Sequence, residues 1–188
     1  MGTNSNNRDK NDILPLPEDY DYGDYLKISN IIHQLRMLND NPGYIYNHGV
    51  SINYIFSFND GCTPDDICKL EENIGYLLPK DYKEFLLYTN GMNFSNHVGS
   101  YLVGIGEIYI NQNIFDYPQS TIVIGSVCDG SAHVVIDLKK EHDACIFIHD
   151  VYSGNLQNLN CGFALFFNRF IMTYGSAFWE WAGIGLSF

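Results

Sequence analysis

The chain has 188 residues, of which 46% are hydrophobic, so it can bury the core of one domain of ordinary size but hardly of two. This composition excludes wholesale disorder. Aspartate and glutamate number 22 against 10 lysine and arginine residues, and the formal net charge is −12. Such an acidic chain is a poor match for nucleic acid or an anionic membrane surface, because basic side chains supply most of that affinity. It suits a basic protein partner, since complementary charge speeds encounter and selects partners.

The beginning of the chain and the cysteines favour a cytoplasmic protein. The first 30 residues lack a basic region followed by an apolar stretch, so we expect no signal peptide. The longest strongly apolar run, at 163–167, is much shorter than a membrane span. The five cysteines are odd in number, scattered and without a CxxC pair. They indicate buried, reduced thiols, and neither a disulfide framework nor a zinc site.

The polar segment at the start of the chain differs from the rest. Residues 1–23 have little to bury, and we expect them to form a flexible leader. Residues 24–188 are predicted to form a single domain. Its first helix is predicted over 28–38, where isoleucine and leucine recur at three- and four-residue spacing. The stretch 44–58 is rich in strand formers and predicts one or two short strands.

A pair of helices between Thr63 and Gly91 is the clearest pattern in the chain. Thr63 is a suitable N-cap, and Asp66 three residues later completes a capping pattern. Gly75 is a typical helix stop, and Pro79 is expected to open the second helix. The buried stripe predicted for the second helix consists of Tyr82, Phe85, Leu86 and Thr89.

The middle of the chain changes to a two-residue period, which predicts strands. A strand or hairpin is expected over 102–110, and Asp129-Gly130 is a turn signal. Further strands are predicted over 121–127, 133–138 and 145–151. A last helix is predicted over 163–174. Helices before and after a run of strands indicate an α+β fold: a mostly antiparallel sheet of about five to six strands with about four helices packed around it.

Three segments of the helix pair form a recognisable signature. Residues 67–75 are an acidic helix ending in glycine, 78–86 are a Leu-Pro pair followed by an aromatic-rich helix, and 89–91 are Thr-Asn-Gly. This order and spacing resembles the SUKH superfamily, which includes fungal Smi/Knr cell-wall regulators and many bacterial immunity proteins of polymorphic toxin systems. The resemblance extends over roughly residues 63–174 and specifies architecture, because its prolines, glycines and aromatics perform no acid, base or nucleophilic chemistry.

The resemblance implies a non-enzymatic binding protein, with no catalytic residues, no metal and no cofactor, that neutralises a cognate toxin. Such toxins are often nucleases, which need a basic surface to bind the phosphates of nucleic acid. We therefore expect the partner to be a basic, nuclease-like toxin domain. The contact residues predicted from charge and loop position are Asp129, Asp137, Glu141, Asp143, Asp150 and Tyr152.

Two other functions remain open from the sequence. The first is a regulatory scaffold that binds a cellular protein, for which the extra segments 1–62 and 175–188 offer additional surface. The second is a metal-dependent hydrolase that uses His133, His149 and Asp137. If the predicted acidic contacts are not the binding face, the helix pair and the tail around Trp179 and Trp181 are the alternative surfaces.

Overall fold

The computed structural model describes residues 27–40, 44–47, 50–53, 55–94, 99–114 and 117–180. The predicted leader and Trp181 lie outside these residues. The helices are α1 (Ile28–Asp40), α2 (Pro64–Ile74), α3 (Lys80–Tyr88), α4 (Ile105–Ile114) and α5 (Phe163–Met172). The strands are β1 (Tyr44–Asn47), β2 (Val50–Asn53), β3 (Phe56–Phe58), β4 (Met92–Phe94), β5 (Tyr101–Leu102), β6 (Thr121–Val127), β7 (Ala132–Asp137), β8 (Ile146–Asp150) and β9 (Leu156–Asn158).

Seven strands form one antiparallel sheet in the order β3-β4-β5-β6-β7-β8-β9. The strands β1 and β2 form a separate two-stranded hairpin. The predicted α+β class and antiparallel sheet are confirmed, with slightly more strands than expected. The sequence did not predict β4 and β9, because each has only three residues and such short segments carry almost no period-two signal. No helix in the described part of the chain is long and apolar enough to cross a membrane.

The predicted helix pair is present as α2 and α3. The Asp66 backbone N–H donates to Thr63 Oγ1 at 3.2 Å, and the Thr63 N–H donates to the Asp66 carboxylate at 3.0 Å, which completes the capping box. At the other end of α2, Gly75 has a φ of 74°, in the left-handed region where glycine is unstrained. Local sequence therefore determines both ends of this helix.

The strand predicted over 102–110 is wrong beyond Leu102, because the helix α4 begins at Ile105. Asn90 Oδ1 accepts a hydrogen bond from the Ile105 N–H at 2.7 Å, and the Glu107 carboxylate accepts one from the Gly104 N–H at 3.2 Å. These side chains satisfy backbone donors at the start of the helix. The two-residue period of the middle of the chain predicts a strand here, whereas the start of the helix depends on Asn90, which lies fifteen residues before Ile105.

The main core lies between the helices and one face of the sheet. Four phenylalanines of α5 are fully buried in it: Phe163, Phe166, Phe167 and Phe170. The N-cap of α5 is Gly162, which has no side chain to accept a backbone hydrogen bond. The Asp81 carboxylate of α3 accepts the Ala164 N–H instead, at 2.7 Å. The helix pair thus fixes the start of α5 as well as packing against it.

The cysteines depart in part from the prediction. All five are free, as expected, and Cys145 and Cys161 are buried. Burial raises the pKa of Cys145 to about 12 and that of Cys161 to about 11, so both thiols stay protonated at neutral pH. However, Cys68 and Cys128 are exposed, which contradicts the expectation of uniformly buried thiols. Cys68 lies on the solvent side of α2, and Cys128 lies in a surface turn.

Tyr82 carries a buried polar atom that leads to a testable prediction. Its side chain is fully buried, and its hydroxyl has no hydrogen-bond partner among the described residues. An unpaired buried polar group costs about 1–3 kcal/mol. We expect Tyr82→Phe to raise the free energy of unfolding by about 1 kcal/mol, measured by urea denaturation.

A matched control for Tyr82 is the buried Tyr174. Its hydroxyl donates to the Ile55 carbonyl and accepts from the Ile55 N–H, both at 3.2 Å. Removing that hydroxyl in Tyr174→Phe should lower the stability, because the Ile55 groups lose their partner. If Tyr82→Phe lowers the stability to the same extent, the Tyr82 hydroxyl is satisfied in solution and the prediction is wrong.

Candidate functional site

The six contact residues predicted from the sequence lie in two groups at opposite ends of β7. One group lies on the turns that follow β6 and β8: Asp129, Asp150 and Tyr152. The other lies at the end of β7 and in the connection to β8: Asp137, Glu141 and Asp143. Because β7 has six residues, the two groups are separated by roughly 17 Å along the strand. A small binding interface therefore cannot have both groups at its centre.

The first group lies on two adjoining turns. The Val151 N–H donates to the Ser131 carbonyl at 2.9 Å, which ties the turn after β8 to the turn after β6. Glu180, near the end of the described chain, lies within electrostatic range of Cys128 in the turn after β6. Burial and the negative charges of Glu180 and then Asp129 raise the pKa of the Cys128 thiol. We call this surface, made of Asp129, Asp150, Tyr152 and Glu180, the acidic end.

Asp150 builds the turn that presents Tyr152. Its Oδ1 accepts the backbone N–H of Ser153 at 2.8 Å and that of Tyr152 at 2.9 Å. These bonds, chiefly those from Ser153, lower the pKa of the Asp150 carboxyl. The carboxylate therefore stays charged to a lower pH than an ordinary aspartate. The side chain of Tyr152 is 87% exposed, so a large aromatic surface stands beside the acidic groups.

Asp129 occupies an unusual backbone position. Its φ is 55°, in the left-handed region that aspartate and asparagine tolerate better than most residues. Gly99 packs directly against this turn, since a Cβ placed on Gly99 would lie 2.3 Å from the Asp129 Cα. The close approach of the two backbones constrains the turn that carries this exposed carboxylate.

The two groups differ in their charge balance. Residues 121–137 and 146–158, which form the strands and turns around the acidic end, contain no lysine or arginine. The connection at the opposite end contains Lys139 and Lys140 next to its acidic residues. There, Asp137 also accepts the Lys139 backbone N–H at 3.1 Å, so part of its role is to shape the turn. The acidic end is therefore the more uniformly negative of the two surfaces.

The histidines suspected of binding a metal meet on the outer face of the sheet. His133 lies directly opposite His149 in the β7–β8 register, and their ring centroids are 6.3 Å apart. The Tyr117 hydroxyl contacts Nδ1 of His133 at 3.2 Å and also contacts Nδ1 of His149. The sequence does not indicate that Tyr117 joins the two histidines, because Tyr117 lies in a loop whose position depends on the tertiary fold.

Asp137 does not join this pair of histidines. It lies four residues beyond His133 on β7, which places it roughly 13 Å away along the strand. Among the described residues, no group of three histidine, cysteine, aspartate or glutamate side chains is arranged to hold a metal ion. The His133, His149 and Asp137 constellation of the hydrolase alternative is therefore not assembled.

The buried histidine should make stability depend on pH. Burial and the neighbouring His149 lower the pKa of His133 below its ordinary value of 6.5. The folded state then binds this proton less readily than the unfolded chain does. Stability should be complete above the ordinary pKa and fall as the pH drops from there through the lowered pKa.

This pH dependence can be measured by urea denaturation between about pH 7.5 and pH 5. His133→Gln should lose less stability on acidification than the wild-type protein. The control variant His142→Gln, which removes an exposed histidine from the β7–β8 connection, should behave like the wild type. Identical losses in His133→Gln and wild type would contradict the assignment.

Comparison with known proteins places this architecture in a family. The model of the SMI1 / KNR4 family (SUKH-1) matches residues 61–169, which are more than half of the chain. The matched region extends from just before α2 into α5 and contains the acidic turns. The uncharacterized protein YnaB of Bacillus subtilis (strain 168) is 29% identical over 131 residues, which cover 66% of this chain and 87% of that protein.

The match confirms the resemblance predicted from the helix pair. Members of this family are immunity or regulatory proteins, are generally non-enzymatic, and bind partner proteins. Because the family model matches residues 61–169, a stretch that contains α2, α3, most of the antiparallel sheet and the first part of α5, the chain belongs to the SMI1 / KNR4 (SUKH-1) family.

Proposed function

We propose that this protein is an immunity protein whose acidic end binds a basic toxin domain and blocks its active site or substrate path. The observation that carries the proposal is the combination of exposed carboxylates with the exposed ring of Tyr152, on a part of the sheet without lysine or arginine. The family supports an immunity or regulatory role.

The chemistry of a nuclease makes it a suitable partner. A nuclease holds phosphates through basic side chains, and the same surface attracts a rigid set of carboxylates. Asp150 is held by two backbone N–H groups and Asp129 by a constrained turn, so little ordering is needed on binding. Tyr152 can contribute apolar contact at low entropic cost. The acidic end would then occupy the place of the nucleic acid.

Two further proposals accompany this function. Residues 24–188 act as one domain, which is supported by a main core cluster that runs from Ile28 in α1 to Trp179. The protein acts in the cytoplasm, where a nuclease toxin would find its nucleic-acid substrate. Free thiols at all five cysteines are compatible with that compartment.

Co-expression with a toxin domain encoded beside the gene tests the proposal. Cells that produce the toxin alone should stop growing, and cells that also produce this protein should grow. The variant Tyr152→Ala, which alters an exposed side chain and leaves the core unchanged, should protect less well than the wild type. Failure of the wild-type protein to protect against any neighbouring toxin domain would contradict the immunity function.

A regulatory scaffold is the second candidate, favoured by the exposed side of the helix pair. A cavity of about 420 Å³ lies between α2 and α3, with Ile67 and Leu87 among its lining residues. Leu77, in the link between the two helices, is 74% exposed. Such a surface could hold a cellular protein. Capture of one specific cellular protein that is lost in Leu77→Asp, without protection from any toxin, would favour the scaffold.

A further inference from the structure

A cavity of about 490 Å³ opens between β9, α5 and the turn after α5. Its walls are mainly apolar and include Leu165, Met172, Phe178 and Trp179. This volume falls within the usual range of small-molecule sites, about 300–1000 Å³, which are typically apolar with a few polar groups. The size and lining of the cavity therefore fit a small organic ligand.

The polar group that distinguishes this cavity is the guanidinium of Arg169. Arg169 is the only lysine or arginine after Lys140, in a chain with a net charge of −12. The side chain is partly buried and lines the cavity. Although acids are abundant, no carboxylate among the described residues forms an ion pair with it. A partly buried arginine that no described carboxylate neutralises is a ready site for a carboxylate, which its guanidinium can bind with two parallel hydrogen bonds.

Two asparagines that line the same cavity as Arg169 can also donate hydrogen bonds to an anion. Asn168 on α5 and Asn158 on β9 line the cavity and carry amide groups that can donate to an anion. Phe178 and Trp179, whose ring centroids are 5.1 Å apart, also line the cavity and supply aromatic surface. The cavity thus offers both a group that can bind a charged head and a surface that can hold an apolar body.

We propose that this cavity is a binding site for a small amphipathic carboxylate, an aromatic or medium-chain organic acid. Its carboxylate pairs with Arg169, and its apolar part packs against Leu165, Met172 and Trp179. The site is distinct from the acidic end and takes a ligand of the opposite charge to the proposed toxin partner. It does not depend on the proposed immunity function.

Calorimetric titration of the full-length protein with octanoate tests the site, with tryptophan emission as a second readout. Octanamide is the neutral comparison, because it has the same apolar chain and no charge. Octanoate should bind at least tenfold more tightly than octanamide, as expected for a hydrogen-bonded ion pair. Arg169→Gln should remove that preference. Lys140→Gln, which removes an exposed positive charge elsewhere, should leave it unchanged.

A second pair of variants keeps the test independent of any folding defect in Arg169→Gln. Met172 is 74% exposed and lines the cavity one turn of helix beyond Arg169. Met172→Glu places a carboxylate beside the guanidinium and should prevent octanoate binding, whereas the neutral Met172→Gln should retain it. The proposal is overturned if octanoate does not bind at millimolar concentration, if octanamide binds equally well, or if Met172→Glu and Met172→Gln bind octanoate alike.

Discussion

Phe85→Ala is expected to lower the free energy of unfolding by about 3–5 kcal/mol, the usual cost of removing a fully buried phenylalanine ring. Phe85 is fully buried on α3, and its ring centroid lies 5.2 Å from that of Phe163 and 5.3 Å from that of Phe167 on α5. Its loss leaves a cavity where the helix pair meets the last helix. Urea denaturation measures the change, and the thermal midpoint should fall by about 10 °C.

Leu87→Ala is the matched control for this experiment. Leu87 lies two residues further along α3, and its side chain is 43% exposed. Its truncation should change stability by less than about 1 kcal/mol, because little apolar surface returns to water. If the two variants lose the same amount, or if Phe85→Ala costs less than about 1 kcal/mol, the contact between α3 and α5 is not a central part of the core.

The helix pair could be predicted because its signals are local. Thr63 and Asp66 are three residues apart and satisfy each other's backbone groups, so the start of α2 needs no information from elsewhere. Gly75 likewise ends the helix through its own backbone freedom. The same local information was sufficient to recognise the family.

Features that depend on distant contacts could not be predicted. The start of α4 depends on Asn90, fifteen residues before Ile105, and the two-residue period alone predicts a strand. The separation of the six acidic and aromatic contacts into two groups follows from strand pairing, which places Asp150 opposite Ala132 and Asp137 opposite Thr121. A charge pattern along the sequence contains no information about the end of the sheet on which each residue lies.

Two residues of the candidate sites were absent from the sequence prediction. Glu180 lies more than fifty residues beyond Asp129, and only the fold brings it to the acidic end. Arg169 is an isolated positive charge in the sequence, and its significance comes from the cavity that it lines. In both cases the residue type was visible in the sequence and its surroundings were not.

Neutralising the acidic end is expected to slow the association with a basic toxin domain by about tenfold or more at low salt, because steering by complementary charge is lost. The variant combines Asp129→Asn, Asp150→Asn and Glu180→Gln. Asparagine keeps an oxygen that can accept the Tyr152 and Ser153 N–H groups at position 150, and it tolerates the left-handed backbone at position 129. Lysine at these positions would disturb the turns as well as the charge.

The matched control removes three charges from the opposite end of β7, through Asp137→Asn, Glu141→Gln and Asp143→Asn. Both variants have the same net charge, so any difference between them reports the location of the binding face. The decisive measurement is the rate of association with the toxin domain by stopped flow, at low and at high salt. We predict that only the acidic-end variant associates slowly and loses most of its salt dependence, while the control retains both rate and salt dependence. Equal slowing of the two variants, or an unchanged rate in the acidic-end variant, would contradict the assignment of the acidic end as the partner-binding surface.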